Sequence, residues 1–245
     1  MLTEPTMEKL QTLRLAAMAT TYRAQQQTPD SSALSFDERF GLLVDAEYLA
    51  RENRRLATRL REAKLKLSQA CVEAIDYPAK RELDKAVMRQ LAACHWVEEH
   101  HNVLITGQTG TGKTYVACAL VQQACRKGYR ALYYRAARLF DDLVLARATG
   151  THARLLARIA RMDVLAIDDW GLRAVGEQDR HDWLEILEDR HGTRSTVVTS
   201  QLPPEKWHDR IGDPTLADAI LDRLVHRAHR IALKGPSRRK EQAVA

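Results

Sequence analysis

Gly107-Gln108-Thr109-Gly110-Thr111-Gly112-Lys113-Thr114 reads G-x-x-x-x-G-K-T, and the fold is decided there. Before it, Val103-Leu104-Ile105-Thr106 is a short apolar, β-branched run; after it, the stretch opening at Tyr115 carries helical spacing. Strand, glycine loop and helix in that order make a phosphate-binding loop. Glycines let the backbone curl so that several N–H groups converge on phosphate oxygens. The helix N-terminus adds about half a positive charge. Gly107, Gln108, Thr109, Gly110, Thr111, Gly112, Lys113, Thr114 and Tyr115 are the expected nucleotide cradle. Lys113 would reach the β- and γ-phosphates, and the Thr114 hydroxyl would ligate Mg²⁺.

A phosphate loop needs a second group on the metal side. Val164-Leu165-Ala166-Ile167-Asp168-Asp169 supplies it, an apolar run ending in two carboxylates. A buried strand aims its last residue at the edge of the sheet where the phosphates lie. Asp168 is the expected metal-side carboxylate. Asp169, on the other side of the strand, is expected to orient an attacking water, which implies hydrolysis rather than transfer to a bound acceptor. A further run, Thr196-Val197-Val198-Thr199-Ser200-Gln201, also ends in polar groups that could meet the γ-phosphate or its water.

Apolar runs at 102–106, 131–135, 164–168, 196–199 and 230–233 alternate with helical stretches beginning near residues 113, 137, 151, 177, 204 and 216. Five strands separated by helices predict a parallel sheet covered on both faces. The chain has 245 residues, enough for one large domain or a small and a medium one at about 150 residues per domain. Residues 1–66 read as helical. Met7, Leu10, Leu13, Ala17 and Met18 follow helix spacing, residues 25–32 with Pro29 form a polar connector, and Ser35-Phe36-Asp37-Glu38 is a capping box. The second helical stretch is expected to run to about Leu67. A helical domain over 1–67 and an α/β domain over 68–245 follow.

Composition excludes several classes. Hydrophobic residues are 45% and charged residues 29%, as in ordinary globular chains. No apolar run reaches the roughly 18 residues that span a bilayer, and Met1 to Leu10 lacks a signal-peptide pattern. A cytoplasmic protein without a membrane partner is expected. The four cysteines form no C-x-x-C pair, and Cys118 and Cys125 share a helical face with Ala117, Leu120 and Val121, so they read as core thiols. The histidines include no H-E-x-x-H, and His100 and His101 read as surface residues.

The net charge of +6 is unevenly spread. Residues 51–66 hold seven basic and two acidic groups; residues 223–240 hold seven basic and none acidic. Two basic clusters suggest a polyanion partner. At about 100° per residue, Arg51, Arg54, Arg55, Arg59, Arg61 and Lys66 fall on one helical face, opposite Leu49, Leu56, Leu60, Ala63 and Leu67. Such a face contacts phosphates without reading bases. Aromatics are absent from 49–67, and single strands want stacking platforms, so duplex DNA bound through its backbone is expected.

Further motifs are IGDPTLADAILDRLVHRAHRIALKG at 211–235, TSQLP at 199–203, LRLAAM at 13–18 and LSFDERFGLLVDAEYLARENRRLATRLREAKLK at 34–66. With GQTGTGKT and VLAIDDWG, they make the chain resemble the AAA+ ATPases of the replication-initiator and helicase-loader group. It resembles most of all the IstB-like helpers of insertion-sequence transposition. The resemblance implies an ATP- and Mg²⁺-dependent ATPase with sheet order 5-1-4-3-2, the 196–199 strand lying between the phosphate-loop strand and the Asp168 strand. It implies a homo-oligomer with ATP sites at subunit interfaces, and a transposase as partner. Gln201 stands at the sensor position, where relatives usually have Asn, and Ser200 is the alternative. Arg223 falls at the position of the arginine finger that completes a neighbour's site. The chain after Gly235 is too short for the full C-terminal lid of most AAA+ proteins; Arg238 or Arg239 could replace the second sensor. Three other functions fit parts of the pattern: a helicase loader preferring single strands, a small-metabolite kinase, and an ATP-gated DNA-binding switch with negligible turnover.

Overall fold

Runs of aliphatic and β-branched residues become strands when both faces of a sheet are covered, and five do so here. The computed structural model describes residues 3–28 and 33–237. The strands are β1 (Asn102–Gly107), β2 (Ala131–Arg135), β3 (Val164–Trp170), β4 (Ser195–Ser200) and β5 (Ala228–Leu233). All pair in parallel, in the order β2-β3-β4-β1-β5, as the resemblance implied. β4 therefore separates β1 from β3. Ile105 lies beside Thr199 and Ile167 beside Val198, so the tip of β4 falls between the loop after β1 and the acids of β3.

The helices follow in order: α1 (Thr3–Thr12), α2 (Ala16–Gln27), α3 (Phe36–Ala63), α4 (Lys85–Ala92), α5 (His95–Glu98), α6 (Lys113–Arg126), α7 (Ala136–Ala148), α8 (His152–Ala160), α9 (Glu177–Arg190), α10 (Trp207–Ile211) and α11 (Pro214–Val225). Caps set several starts. Asp213 accepts the Leu216 N–H ahead of Pro214, which suits a first helical turn. Asp84 accepts the Ala86 N–H at the start of α4. The sheet core is buried, and Trp170 and Trp207 meet at 4.6 Å between ring centroids.

Two buried polar side chains tie down the N-terminal edge of the sheet. Asn102 donates to the Arg223 and Leu224 carbonyls and accepts the Thr196 N–H. Arg190 is 1% exposed and donates to the carbonyls of Ile159, Met162 and Ser195 and to the Thr196 hydroxyl. Burial pulls its pKa down to about 9, so the guanidinium is still charged at neutral pH. The functional loops extend from the opposite edge.

The chain divides into two compact units, one ending at Thr58 and one beginning at Arg59, inside α3 and earlier than the 67/68 boundary expected. In the first unit, Arg14 has φ +57 and separates α1 from α2, leaving Leu13 65% exposed. The face expected to run through Leu13 is interrupted there. The Ser35–Glu38 capping box forms: Ser35 Oγ accepts the Glu38 N–H and Glu38 accepts the Ser35 N–H. Glu47 is buried and accepts the N–H groups of Ala17 and Met18, two donors that the first turn of α2 leaves unpaired. Pro29 to Ser32, in the expected connector, and Arg238 and Arg239 lie outside the described residues.

The helical stretch stops short of Leu67. α3 ends at Ala63, and Lys64 turns the chain with φ +52. Among the described residues no helix is long and apolar enough to cross a membrane. Cys94, Cys118 and Cys125 are buried free thiols, and burial pushes each up to about 11. His100 and His101 are half-buried rather than on the surface; His101 stands 3.3 Å from Glu99.

Candidate functional site

The loop after β1 curls because its glycines permit it. Gly110 and Gly112 have φ +87 and +93, where a side chain is strained. A Cβ on Gly112 would also meet Arg81 Nη2 at 2.5 Å. Arg81 is 3% exposed and braces the loop from behind, with Nε donating to the Thr111 carbonyl at 3.1 Å and Nη1 to the Asp76 carbonyl at 2.8 Å. Lys113, first residue of α6, folds its Nζ onto the carbonyls of Gly107 (2.8 Å) and Gln108 (2.9 Å). Its ammonium thus lies inside the curl that the loop encloses. Gln108 and Thr109 are exposed at the crest, Thr111 is buried beneath it, and Tyr115 is half-buried one turn into the helix.

Asp168 is fully buried at the end of β3 and collects hydroxyls from three elements. Thr114 of α6 donates to it at 3.0 Å, Tyr133 of β2 at 2.6 Å and Thr199 of β4 at 2.6 Å. Burial, and then the hydrogen bond to Asp168, push the Tyr133 hydroxyl well up, so it stays a donor. A carboxylate and a threonine hydroxyl in contact are hard oxygen donors of the kind Mg²⁺ takes. With the N–H-lined loop and Lys113 beside them, these residues fit a magnesium nucleotide.

Asp169 departs from strand geometry. Its φ is +61, and the pairing of β3 with β4 is irregular between Ile167 and Trp170. The left-handed turn sends neighbouring carboxylates apart: Asp168 into the sheet, Asp169 to within 3.7 Å of Arg135 Nη2 with 22% of its side chain exposed. Thr199 fixes both acids, because its Oγ1 donates to Asp168 and accepts the Asp169 N–H at 3.0 Å.

The tip of β4 separates the two sensor candidates. Ser200 is fully buried and spends its hydroxyl on the Trp170 carbonyl and the Leu202 N–H. Gln201 is half-buried and lines a cavity of about 370 Å³ with Thr106, Gly107, Gln108 and Lys234. After β5, Ser237 crosses over Gly110, and Gly235 lies against the Lys80 carbonyl.

Arg223 sits at the far edge of the sheet. Nη1 donates to the Ala219 carbonyl at 2.8 Å and Nη2 to Glu188 at 2.9 Å. It shares a small cavity with Arg190, Arg194, Arg227 and His191. Its carbonyl is bonded to Asn102, the first residue of β1, whereas the phosphate loop leaves the last. The ends of β1 are about 16 Å apart at about 3.3 Å per residue, farther than one side chain spans.

The basic run is less uniform than its helical projection. Arg51 and Arg54 both pair with Glu47, at 2.8 and 3.4 Å, and Arg55 pairs with Glu52 at 2.6 Å. In the second unit, Arg59 is half-buried near Gly128 of the turn after α6, and Arg61 is exposed. Lys66 does not belong to the face at all. It lies beyond the end of α3, and its Nζ stands 4.0 Å from Asp168. Thr199, Tyr133, Arg81 and Arg135 escaped the sequence-based expectations. Thr199 and Tyr133 were recognisable only once strand order put β2 and β4 beside β3.

A five-stranded parallel sheet in this order, with a phosphate loop after β1 and a buried carboxylate on β3 across the intervening β4, defines a P-loop protein of the AAA+ class. Residues 8–245 match the family described as IstB-like ATP binding protein, and the chain belongs to that family. It is 49% identical over 242 residues to an insertion sequence ATP-binding protein of Sinorhizobium fredii, covering 99% of this chain and 98% of that one. Among solved structures, DnaI is similar with TM-score 0.59 and 20% identity, over 68% of this chain and 92% of that one. The DnaC helicase loader is similar with TM-score 0.56 and 19% identity, over 67% and 97%. At those identities the solved structures bear on the fold alone.

Proposed function

We propose that this chain is an ATP-hydrolysing, DNA-binding helper of transposition that assembles on duplex DNA with ATP and engages a transposase. The observation that carries this is the cluster of Thr114, Asp168 and Thr199 beside Lys113 and the glycine loop. The insertion-sequence relatives support the biological setting.

Lys113 exchanges its loop carbonyls for β- and γ-phosphate oxygens, and Gly107 to Thr114 contribute their N–H groups, with Tyr115 following in the helix. Thr114 and Asp168 would hold Mg²⁺, which supplies charge neutralisation at the phosphates. Asp169, aimed away from the metal side, orients the attacking water and takes its proton. Gln201 senses the γ-phosphate, since it lines the loop cavity while Ser200 is committed to Trp170. Arg223 acts on a neighbouring subunit, because its place at the opposite sheet edge keeps it from its own loop, and it must first leave Glu188. Arg51, Arg54, Arg55, Arg59 and Arg61 meet DNA phosphates.

Mixing two inactive variants tests the whole scheme. Lys113→Ala loses a charge-assisted phosphate contact of about 1.5–3 kcal/mol. Arg223→Ala keeps ATP binding but loses a contribution of about 10³–10⁵ in rate where a finger is well placed. Together with duplex DNA they should recover part of the steady-state ATPase rate, one supplying a site and the other a finger. No recovery at any ratio excludes action between subunits, and unchanged hydrolysis by Lys113→Ala excludes the site itself.

A further inference from the structure

Asp168 has one partner that phosphate-loop chemistry does not require. Lys66 Nζ lies 4.0 Å from its Oδ2, and the lysine side chain is 37% exposed while the carboxylate is fully buried. The three hydroxyls on Asp168 carry no charge. Lys66 brings a full positive charge within ion-pair distance of it.

The backbone places Lys66. α3 ends at Ala63 and Lys64 turns with φ +52, and the backbone N–H groups of Leu67 and Lys66 come near enough to the Cys118 thiol to work against the effect of burial on it. Cys118 is buried in α6, the helix that begins with Lys113 and Thr114. The chain immediately after the basic helix thus runs beside the nucleotide helix. The long lysine stem meanwhile carries its charge to 4.0 Å from Asp168 Oδ2.

A buried carboxylate with no compensating charge is costly, and Lys66 supplies that charge here. A dication on the same carboxylate would repel an ammonium about 4 Å away, in a site that water screens poorly. The flexible stem and partial exposure give Lys66 somewhere to go. Resting on the nucleotide assignment above, we propose that Lys66 is a built-in counter-cation. It neutralises Asp168 when Mg²⁺ is absent and swings away when Mg²⁺–ATP binds, so the segment joining the basic helix to the ATPase core responds to the nucleotide. Binding linkage is reciprocal. Any polyanion that draws Lys66 off Asp168 therefore tightens the metal site by the same factor that the metal loosens Lys66.

The test is Mn²⁺ binding to the full chain with a non-hydrolysable ATP analogue, read by electron paramagnetic resonance. Affinity for the analogue in EDTA is measured separately. Lys66→Met and Lys66→Gln should each bind Mn²⁺ about fivefold more tightly, the scale of a partly exposed ion pair. Lys66→Arg, which keeps the charge, should stay near wild type, and analogue affinity in EDTA should be unchanged in all. Amide exchange across residues 64–68 should rise in wild type when Mg²⁺ and the analogue are added, and should already be high in Lys66→Met without them. Equal or weaker Mn²⁺ binding by both neutral variants, with intact analogue binding, overturns the proposal and leaves the nucleotide assignment standing. Exchange at 64–68 that ignores metal and analogue also overturns it. Failure of the wild type to bind the analogue both with Mg²⁺ and in EDTA overturns the nucleotide assignment and this proposal with it.

Discussion

Up to Thr58 the described chain buries three residues, Met7, Ala19 and Glu47; β4 alone buries all six of its own. The first unit leaves Phe36, Phe40, Val44, Tyr48 and Leu49 largely exposed, with Phe36 at 72%. It is held by a polar pin, Glu47, which joins the start of α2 to Arg51 and Arg54 of α3. The second unit is held by close-packed aliphatic layers and by buried polar groups whose bonds are met on several sides, such as Arg190 and Asp168. One region is organised by a few contacts and can be rearranged cheaply. The other holds its carboxylates and hydroxyls by several short hydrogen bonds at once, the kind of positioning that reacting groups need.

The contrast can be broken most sharply at Asp169. Asp169→Asn keeps size and backbone and removes the base proposed above, so hydrolysis should fall by about 10²–10⁴ while ATP still binds. The variant should then remain on labelled duplex after ATP is withdrawn. Equal loss of ATP affinity in Asp169→Asn and Asp168→Asn would mean that both acids serve the metal.

Next in size is the pin under the sheet. Arg190→Met leaves the carbonyls of Ile159, Met162 and Ser195 without their donor and should cost at least about 3 kcal/mol. All four tryptophans lie in the second unit, so their fluorescence in urea reports its unfolding alone. A midpoint unmoved from wild type would show that the sheet does not depend on that edge.

The DNA-facing prediction is smaller, because the ion pairs compete with phosphate. Reversing Arg54 and Arg55 to Glu should lower the log–log salt slope of duplex binding by about 1.8, at about 0.9 per phosphate contact. A slope that stays put would move the interface to Arg227 and Arg230.

Smallest is the effect at Glu47. The hydrogen bond from Arg51, helped by the N–H groups of Met18 and Ala17, holds its pKa below the ordinary 4.5. A lowered carboxyl pKa adds stability above the ordinary value, and that stability is lost as pH falls through the lowered one. Amide resonances of Ala17 and Met18 should therefore shift as pH drops below 4.5. Glu47→Gln should show the loosened positions at neutral pH and lack that acid step.

The same contrast explains what the sequence disclosed. Buried parallel strands must be apolar nearly throughout, so Val103 to Ile105, Val164 to Ile167 and Thr196 to Val198 announced themselves, and the glycine loop between strand and helix marked the sheet edge that carries the site. A helix on the surface gives no such constraint. Nothing in Arg14 or Lys64, neither Gly nor Pro, marked the left-handed turns that end α1 and α3. Projecting the helix past Ala63 put Lys66 among the DNA-facing arginines. Glu47, four residues before Arg51, lay outside the basic window and so its neutralising effect went unseen. Thr199 lay in the run quoted for its polar tip, but its partnership with both acids depends on the kink at Asp169 beside it, which no local pattern contains.

The left-handed backbone of Asp169 also bears on how this site can drift. Aspartate, asparagine and glycine adopt that conformation readily, whereas β-branched residues do not. Stability therefore narrows the choice at this position to a few small residues, and within that set charge weighs little, because the partly exposed pair with Arg135 is worth at most about 1 kcal/mol. A single nucleotide change from aspartate to asparagine leaves the kink, the Thr199 contact to the backbone N–H and the buried Asp168 undisturbed. With the role proposed above, only selection for turnover guards the acid. A lineage content with a protein that stays loaded could reach it in one step, without passing through an unfolded intermediate.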